Sequence, residues 1–221
     1  MRRILQTKAE LDLEHTASPQ LSKLVEGIGS ADNQRAAREM IEQAVTLVRD
    51  ERNLLPLKLP RAASVLYVNI LDEPNPAEAR GVAFLAELKR RYDNVTYFEC
   101  NTQTSSDAVN LLLDTAFKYD AALTTAFIRV AAYKGSIDLT EGQMKLLRRF
   151  SSSPKPFIFV LLGSPYLLSQ LPELPSYILT YDYNPEAERA SIRCILGELK
   201  FRGKLPASLP GLYPVGYGLE K

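Results

Sequence analysis

The chain is poor in the residues that carry most enzyme chemistry. Its 221 residues include one histidine, His15, two cysteines, Cys100 and Cys194, and no tryptophan. One histidine in a polar N-terminal stretch leaves a Ser-His-Asp triad without its base and offers no metal-ligand spacing, so no metal site is expected. Two cysteines, one ending an apolar run and one inside a helical run, are too few for a disulfide framework and read as buried thiols. Charge of one sign is also missing. The 27 basic residues face 26 acidic ones, a net +1, so nothing favours nucleic acid or an anionic membrane. The one compact basic run, Lys89-Arg90-Arg91, ends a predicted helix, where cations suit the macrodipole. No apolar run reaches transmembrane length, and no membrane insertion is expected. The opening MRRILQTKAELDLEH starts basic but lacks the apolar core and small-residue cleavage site of a signal peptide. The chain as written reads as soluble and untargeted. Phosphate-binding glycine loops are absent too: Gly27-Ile28-Gly29 follows no strand and Gly216-Tyr217-Gly218 ends the chain, so no nucleotide cofactor is expected.

What is present is an ordinary globular composition, 46% hydrophobic and 24% charged, in a chain long enough for one domain plus an appendage. Residues 1–45 read as helical. Ile4, Leu5, Ala9, Leu11 and Leu13 suggest a short amphipathic helix. Ser18-Pro19 opens a second, with Leu21, Leu24, Val25 and Ile28 on one side. Ser30 or Asp32 caps a third carrying Ala36, Met40, Ile41 and Val45. From Thr46 the pattern changes. Thr46–Arg49 and Asn53–Leu57 form an extended, proline-ended lead-in. Strands are then expected at Ser64–Ile70, Val95–Cys100, Ala121–Ile128, Phe157–Leu162 and Tyr177–Tyr181. Helices are expected at Asn75–Arg91, Ser105–Lys118, Thr140–Phe150 and Pro185–Leu199. Near-continuous apolar strands separated by amphipathic helices imply a parallel sheet covered on both faces. The expected class is α/β: a doubly wound, mostly parallel five- to six-stranded sheet with helices on both faces, a three-layer sandwich over residues 46–221.

Such sheets bind ligands beyond the carboxyl ends of their strands, at a switch point. The loops to inspect therefore begin at Leu71, Asn101, Arg129, Gly163 and Asp182. After the first, Asp72 and Glu73 repel a pyrophosphate and are nominal acid/base carboxylates, as are Asp138 and Glu141. A cap for Asp138 ahead of the Thr140 helix is the simpler reading. Ser164 follows a strand as an elbow serine would, but the motif lacks its second glycine, and Pro165 removes a backbone N–H from any oxyanion hole. Arg129, ending an apolar strand, and Lys134 beside Gly135 supply donors for an anionic or hydroxyl-rich group, or brace a neighbouring loop. Asn94-Val95-Thr96 forms a sequon at the start of a strand. No catalytic residue emerges.

Several segments then fall in one order. Ala44–Glu51 through Leu54-Leu55-Pro56-Leu57 resembles the lead-in to the C-terminal sandwich of glycoside hydrolase family 3. Lys134-Gly135 with Asp138-Leu139 and Gln143 is similar to that family's helix-opening loop, and Gly163-Ser164-Pro165-Tyr166 to its strand-exit turn. Gly197-Glu198, Arg202-Gly203-Lys204-Leu205-Pro206 and Leu209-Pro210 resemble its exit from the sandwich. Gly211-Leu212-Tyr213-Pro214 and Pro165-Tyr166 look most like the β-N-acetylhexosaminidase branch. The resemblance implies a retaining hydrolase of β-linked N-acetylglucosamine whose nucleophilic aspartate and acid/base histidine belong to a preceding (β/α)8 barrel. In β-glucosidase relatives the acid/base glutamate stands before the Lys-Gly turn, where this chain has Val130-Ala131-Ala132-Tyr133.

A barrel needs about 200 residues, for which the chain has no room, so residues 1–45 are expected to be the linker after a barrel absent here. On this reading the chain alone is inactive. The barrel is its partner, a β-linked amino sugar or cell-wall glycan is the substrate, and relatives are often exported or envelope-associated. Arg129, Lys134, Ser164 and Tyr166 are the residues expected to wall the substrate entrance. Two rival expectations stand beside it: a stand-alone carbohydrate-binding or protein-interaction module, and, less well supported, a small-molecule enzyme at the switch point.

Overall fold

The computed structural model describes residues 1–13, 15, 24, 28–73, 79–128 and 139–221, in two compact units, 1–38 and 39–221. In the first unit, helix α1 (Arg2–Glu10) buries none of its residues, and Ile4 and Leu5 stay exposed. Most of the helix expected from Ser18 lies outside the described residues. Helix α2 (Ala31–Ala44) spans the unit boundary. Its cap is Ser30, whose Oγ accepts the Asn33 N–H at 3.3 Å, while Asp32 pairs with Arg35 instead.

The second unit is a six-stranded sheet in the order β1-β6-β5-β4-β2-β3. Its strands are β1 (Thr46–Asp50), β2 (Ser64–Leu71), β3 (Asn94–Cys100), β4 (Ala121–Ile128), β5 (Phe157–Gly163) and β6 (Ser176–Leu179). All neighbours are parallel except β1, which pairs antiparallel with β6. Helices α3 (Val82–Arg91), α4 (Ser106–Ala116), α5 (Glu141–Ser151) and α6 (Pro185–Ile195) complete the sandwich. Alternate residues of each strand serve opposite faces. Tyr67, Leu123, Phe127 and Val160 pack with Phe84 and Leu88 of α3 and Ile192 and Ile195 of α6. Val68, Ala126, Phe159 and Leu161 pack with Val109 and Leu112 of α4 and Leu146 and Phe150 of α5.

Four expected boundaries are corrected. Thr46–Asp50 is a strand and not merely a lead-in, because the antiparallel β6 edge supplies its ladder. Helix α3 is observed from Val82, since Gly81 before it is left-handed at φ 79° and Arg80 is engaged with acidic side chains, while the expected start at Asn75 lies outside the described residues. Tyr181 at φ 61° leaves extended geometry, so β6 ends at Leu179. Helix α6 ends at Ile195, closed by Gly197 at φ 78°, with the Glu198 N–H returning to Arg193 O at 2.9 Å, a Schellman-type finish.

The proline-punctuated tail covers the β1 edge. Leu219 N–H donates to Leu47 O at 2.8 Å, and Gly203 N–H to Val45 O at 3.1 Å. Arg49, in β1, ties the tail to the β5–β6 connection. Its Nε donates to Tyr213 Oη at 2.9 Å, and its Nη1 to Leu174 O at 3.1 Å and to Pro172 O. Because Arg49 is buried, Arg49→Met strands three acceptors together, and we expect a loss of about 3 kcal/mol. A urea titration at neutral pH measures it; a change near zero shows that the tail closes without the arginine.

Candidate functional site

Strand β2 is hydrogen-bonded to both β3 and β4, and the chain leaves it for α3 on one face and reaches β4 from α4 on the other. The loops after β2 and β4 therefore diverge, which makes this the sheet's switch point. Below it the sheet carries a polar network where apolar side chains are the rule. Asn69 and Thr125 stand opposite each other in the β2–β4 register, and both are fully buried. Thr125 Oγ1 donates to Asn69 Oδ1 at 2.8 Å and lies 2.7 Å from Tyr67 Oη. Asn69 Nδ2 donates to Arg80 O at 2.9 Å. Burial pushes the Tyr67 phenol well above its ordinary range, so it stays protonated. Every member has a partner, so the network is held rigidly.

Gly81 and Glu188 complete it. A Cβ at Gly81 would lie 2.5 Å from Asn69 Nδ2 and 2.6 Å from Tyr67 Oη, so only glycine lets α3 start here. Glu188, 1% exposed, reaches across from α6 and accepts the Gly81 N–H at 2.9 Å and the Phe84 N–H at 3.0 Å. It caps α3 from a different helix. Burial raises its pKa and outweighs the backbone hydrogen bonds that lower it.

Arg80, 8% exposed, sits between the two carboxylates after β2. Its Nη1 lies 3.3 Å from Asp72 Oδ1, and its Nη2 3.3 Å from Glu73 Oε1. The guanidinium rests 5.1 Å from the Tyr183 ring centre. Asp72 and Glu73 are thus engaged with a buried cation, which suits them poorly to paired acid/base work. On the sheet's other face, Gln143 Nε2 donates to Leu71 O at 3.0 Å and Cys100 O at 3.2 Å, joining the ends of β2 and β3. Its Oε1 accepts the Thr140 N–H, and Thr140 Oγ1 the Gln143 N–H, so Thr140 caps α5 through a capping box.

Of the residues expected at the substrate entrance, Arg129 and Lys134 lie outside the described residues, as does Asp138. Ser164 is half-buried at the exit of β5 and opens a 3-10 turn over Pro165–Gln170 without a side-chain capping bond. Tyr166, in that turn, is 44% exposed. Among the described residues neither joins the Asn69 network. The thiols of Cys100 and Cys194 are buried, with burial pushing them to about 11 and about 12. That suits packing, not nucleophilic attack. Among the described residues no group of three His, Cys, Asp or Glu side chains is placed to hold a metal ion, and no helix is long and apolar enough to cross a membrane.

Sequence reasoning passed over Glu188, Arg80 and the Asn69–Thr125–Tyr67 set. A signal existed for Glu188, Asn69 and Thr125. Glu188 falls on the inward stripe of α6 with Ala187, Ser191, Cys194 and Ile195, and Asn69 and Thr125 interrupt otherwise apolar strands.

The fold and this site define a doubly wound α/β sandwich with a polar switch-point scaffold. No family model matches the chain. In sequence it is 23% identical over 248 residues to a putative beta-xylosidase of Formosa agariphila, in a match covering 100% of this chain and 32% of that protein. It is 25% identical over 211 residues to a beta-N-acetylglucosaminidase/beta-glucosidase of Cellulomonas fimi, covering 92% of this chain and 37% of that protein. Among solved structures, a fungal multi-domain GH3 beta-N-acetylglucosaminidase matches with a TM-score of 0.75 at 22% identity, over 97% of this chain and 24% of that one. The chain spans about a third of the length of the curated relatives it matches. Its fold is similar to that of the matched part of the fungal glycosidase structure.

Proposed function

We propose that the chain is the accessory sandwich of a β-N-acetylhexosaminidase-like hydrolase, and that a (β/α)8 barrel linked through residues 1–45 carries the nucleophile and acid/base. One observation carries this reading: the chain is matched nearly end to end by about a third of each curated relative. The chemistry of the switch point supports it. Asn69, Thr125, Tyr67 and Glu188 bind one another or backbone and Arg80 binds Asp72 and Glu73, and a scaffold of that kind holds loops in place for chemistry done elsewhere. Arg129, Lys134, Ser164 and Tyr166 then wall the entrance to a site for a β-linked amino sugar.

Purified chain is expected to release no chromophore from 4-nitrophenyl N-acetyl-β-D-glucosaminide above the buffer rate. It is also expected to give no heat on calorimetric titration with chitobiose. Hydrolysis abolished by Asp72→Asn or Glu73→Gln would make the chain an enzyme in its own right. Saturable heat with chitobiose and no turnover would make it a binding module instead.

A further inference from the structure

At the opposite end of the sheet from the switch point, a cavity of about 200 Å³ opens between the last turns of α4 and α5. Its walls are apolar: Leu113, Ala116 and Phe117 from α4 and its exit, Ala122 from β4, and Phe150 and Phe157 from α5 and β5. Phe150 and Phe157 pack with ring centres 5.4 Å apart, while Phe117 is 59% exposed at the lip. Two cations, Arg149 and Lys155, line the same cavity.

The ordinary duty of a cation at a helix carboxyl end is to meet the last carbonyls, and here that duty is taken. Ser151 Oγ donates to Leu147 O at 2.8 Å, Ser152 N–H to Arg148 O at 3.1 Å, and Ser153 N–H to Phe150 O at 3.0 Å. Arg52 reaches over from the β1 exit and donates to Ser151 O at 2.8 Å and Ser153 O at 2.5 Å. These bonds also fix the cavity wall in advance. The Asp120 carboxylate, which feels the Lys155 charge, already accepts from the Ser64 N–H at 2.8 Å and hydroxyl at 2.9 Å. Arg149 forms no ion pair among the described residues.

We infer that this cavity is a binding site for a small amphiphile: one aromatic ring or short alkyl body bearing a single carboxylate. The volume holds a ring, since a dry apolar cavity of about 150 Å³ takes up benzene. The apolar body sits against Phe150, Phe157 and Ala122, and the carboxylate meets Arg149 and Lys155 at the mouth. The site is independent of the proposed hydrolase role.

The test is amide NMR titration of the full chain with 4-phenylbutyrate and with the neutral 4-phenylbutan-1-ol. Saturable shifts are expected for Phe117, Ala122 and Phe150, with the carboxylate bound about five-fold more tightly than the alcohol, the worth of a partly exposed ion pair. The double variant Arg149→Gln/Lys155→Gln, both on the surface, is expected to equalise the two ligands. Ala122→Leu, which fills the floor, is expected to abolish both. Absence of saturable shifts at a few millimolar, equal affinity for acid and alcohol in the unmodified chain, or shifts confined to the switch-point end would each overturn the proposal. Retained acid preference in the double variant would overturn the assigned cations.

Discussion

Replacing Glu188 by alanine is expected to destabilise the sandwich unit by about 3 kcal/mol, read from the urea midpoint at neutral pH at unchanged slope. The carboxylate accepts two buried backbone N–H groups, of Gly81 and Phe84. Removing it leaves both donors without partners in a site that water does not reach. Each such donor costs about 1–3 kcal/mol, and the loss of a helix cap adds to it. A fall of under about 1 kcal/mol would mean that water enters and replaces the carboxylate. The pH dependence gives a second reading. Burial holds the folded pKa of Glu188 above its ordinary value, so in the window between the two values the folded state binds more protons than the unfolded. Its contribution to stability is therefore present in full below the ordinary carboxylate range. It declines as pH rises through the raised folded value and is flat above that. Glu188→Gln is expected to remove this slope, so that the difference between the two proteins changes with pH only inside that window.

Glu188 also marks where reading from sequence ran out. Strand β4 is observed as Ala121–Ile128, the span its near-continuous apolar run implied, because a strand buried on both faces needs no distant information to declare itself. The helix after Thr140 was legible in its apolar spacing, but its cap is Thr140 paired with Gln143, where Asp138 was the expected cap. Glu188 is different: its acceptor role depends on backbone donors 107 and 104 positions away. Nothing in the helix-forming segment Pro185–Ile195 distinguishes such a carboxylate from a solvated one except its place on the inward stripe. Strand β1 was hidden in the same way, since an edge strand completed by an antiparallel partner some 130 residues on has only five residues of its own to show. Arg80 carries no local sign of its role, which comes from its pairing with Asp72 and Glu73 after β2. The family-like segments were legible as patterns. For Gln143 the structure now supplies the physical cause, two strand-end carbonyls that need a donor.

Gly163→Ala is expected to be the most damaging single-methyl change in the turn that leads to Ser164 and Tyr166. Gly163 ends β5 in register with Ile128 at the end of β4. Its φ of 134° is a conformation L side chains rarely adopt, and a Cβ there would lie 2.1 Å from the Ile128 carbonyl oxygen. The obstacle is backbone in a central strand, so it cannot swing aside as a side-chain tip would. The sheet must either part β4 from β5 at their carboxyl ends or rotate the peptide and re-aim the following turn. Strain of that kind costs about 1–3 kcal/mol, and overpacking adds a comparable amount. We therefore expect a loss of about 4 kcal/mol and a melting temperature lower by about 10 °C in a unit of this size. Ser164→Ala is the matched control: the hydroxyl makes no capping bond, so its loss should leave the melt within about 1 °C. Equal melts for Gly163→Ala and Ser164→Ala would show that the turn relaxes without cost. A lowered melt for the glycine variant alone would show that the sheet, and not the serine, sets the direction in which this loop leaves it.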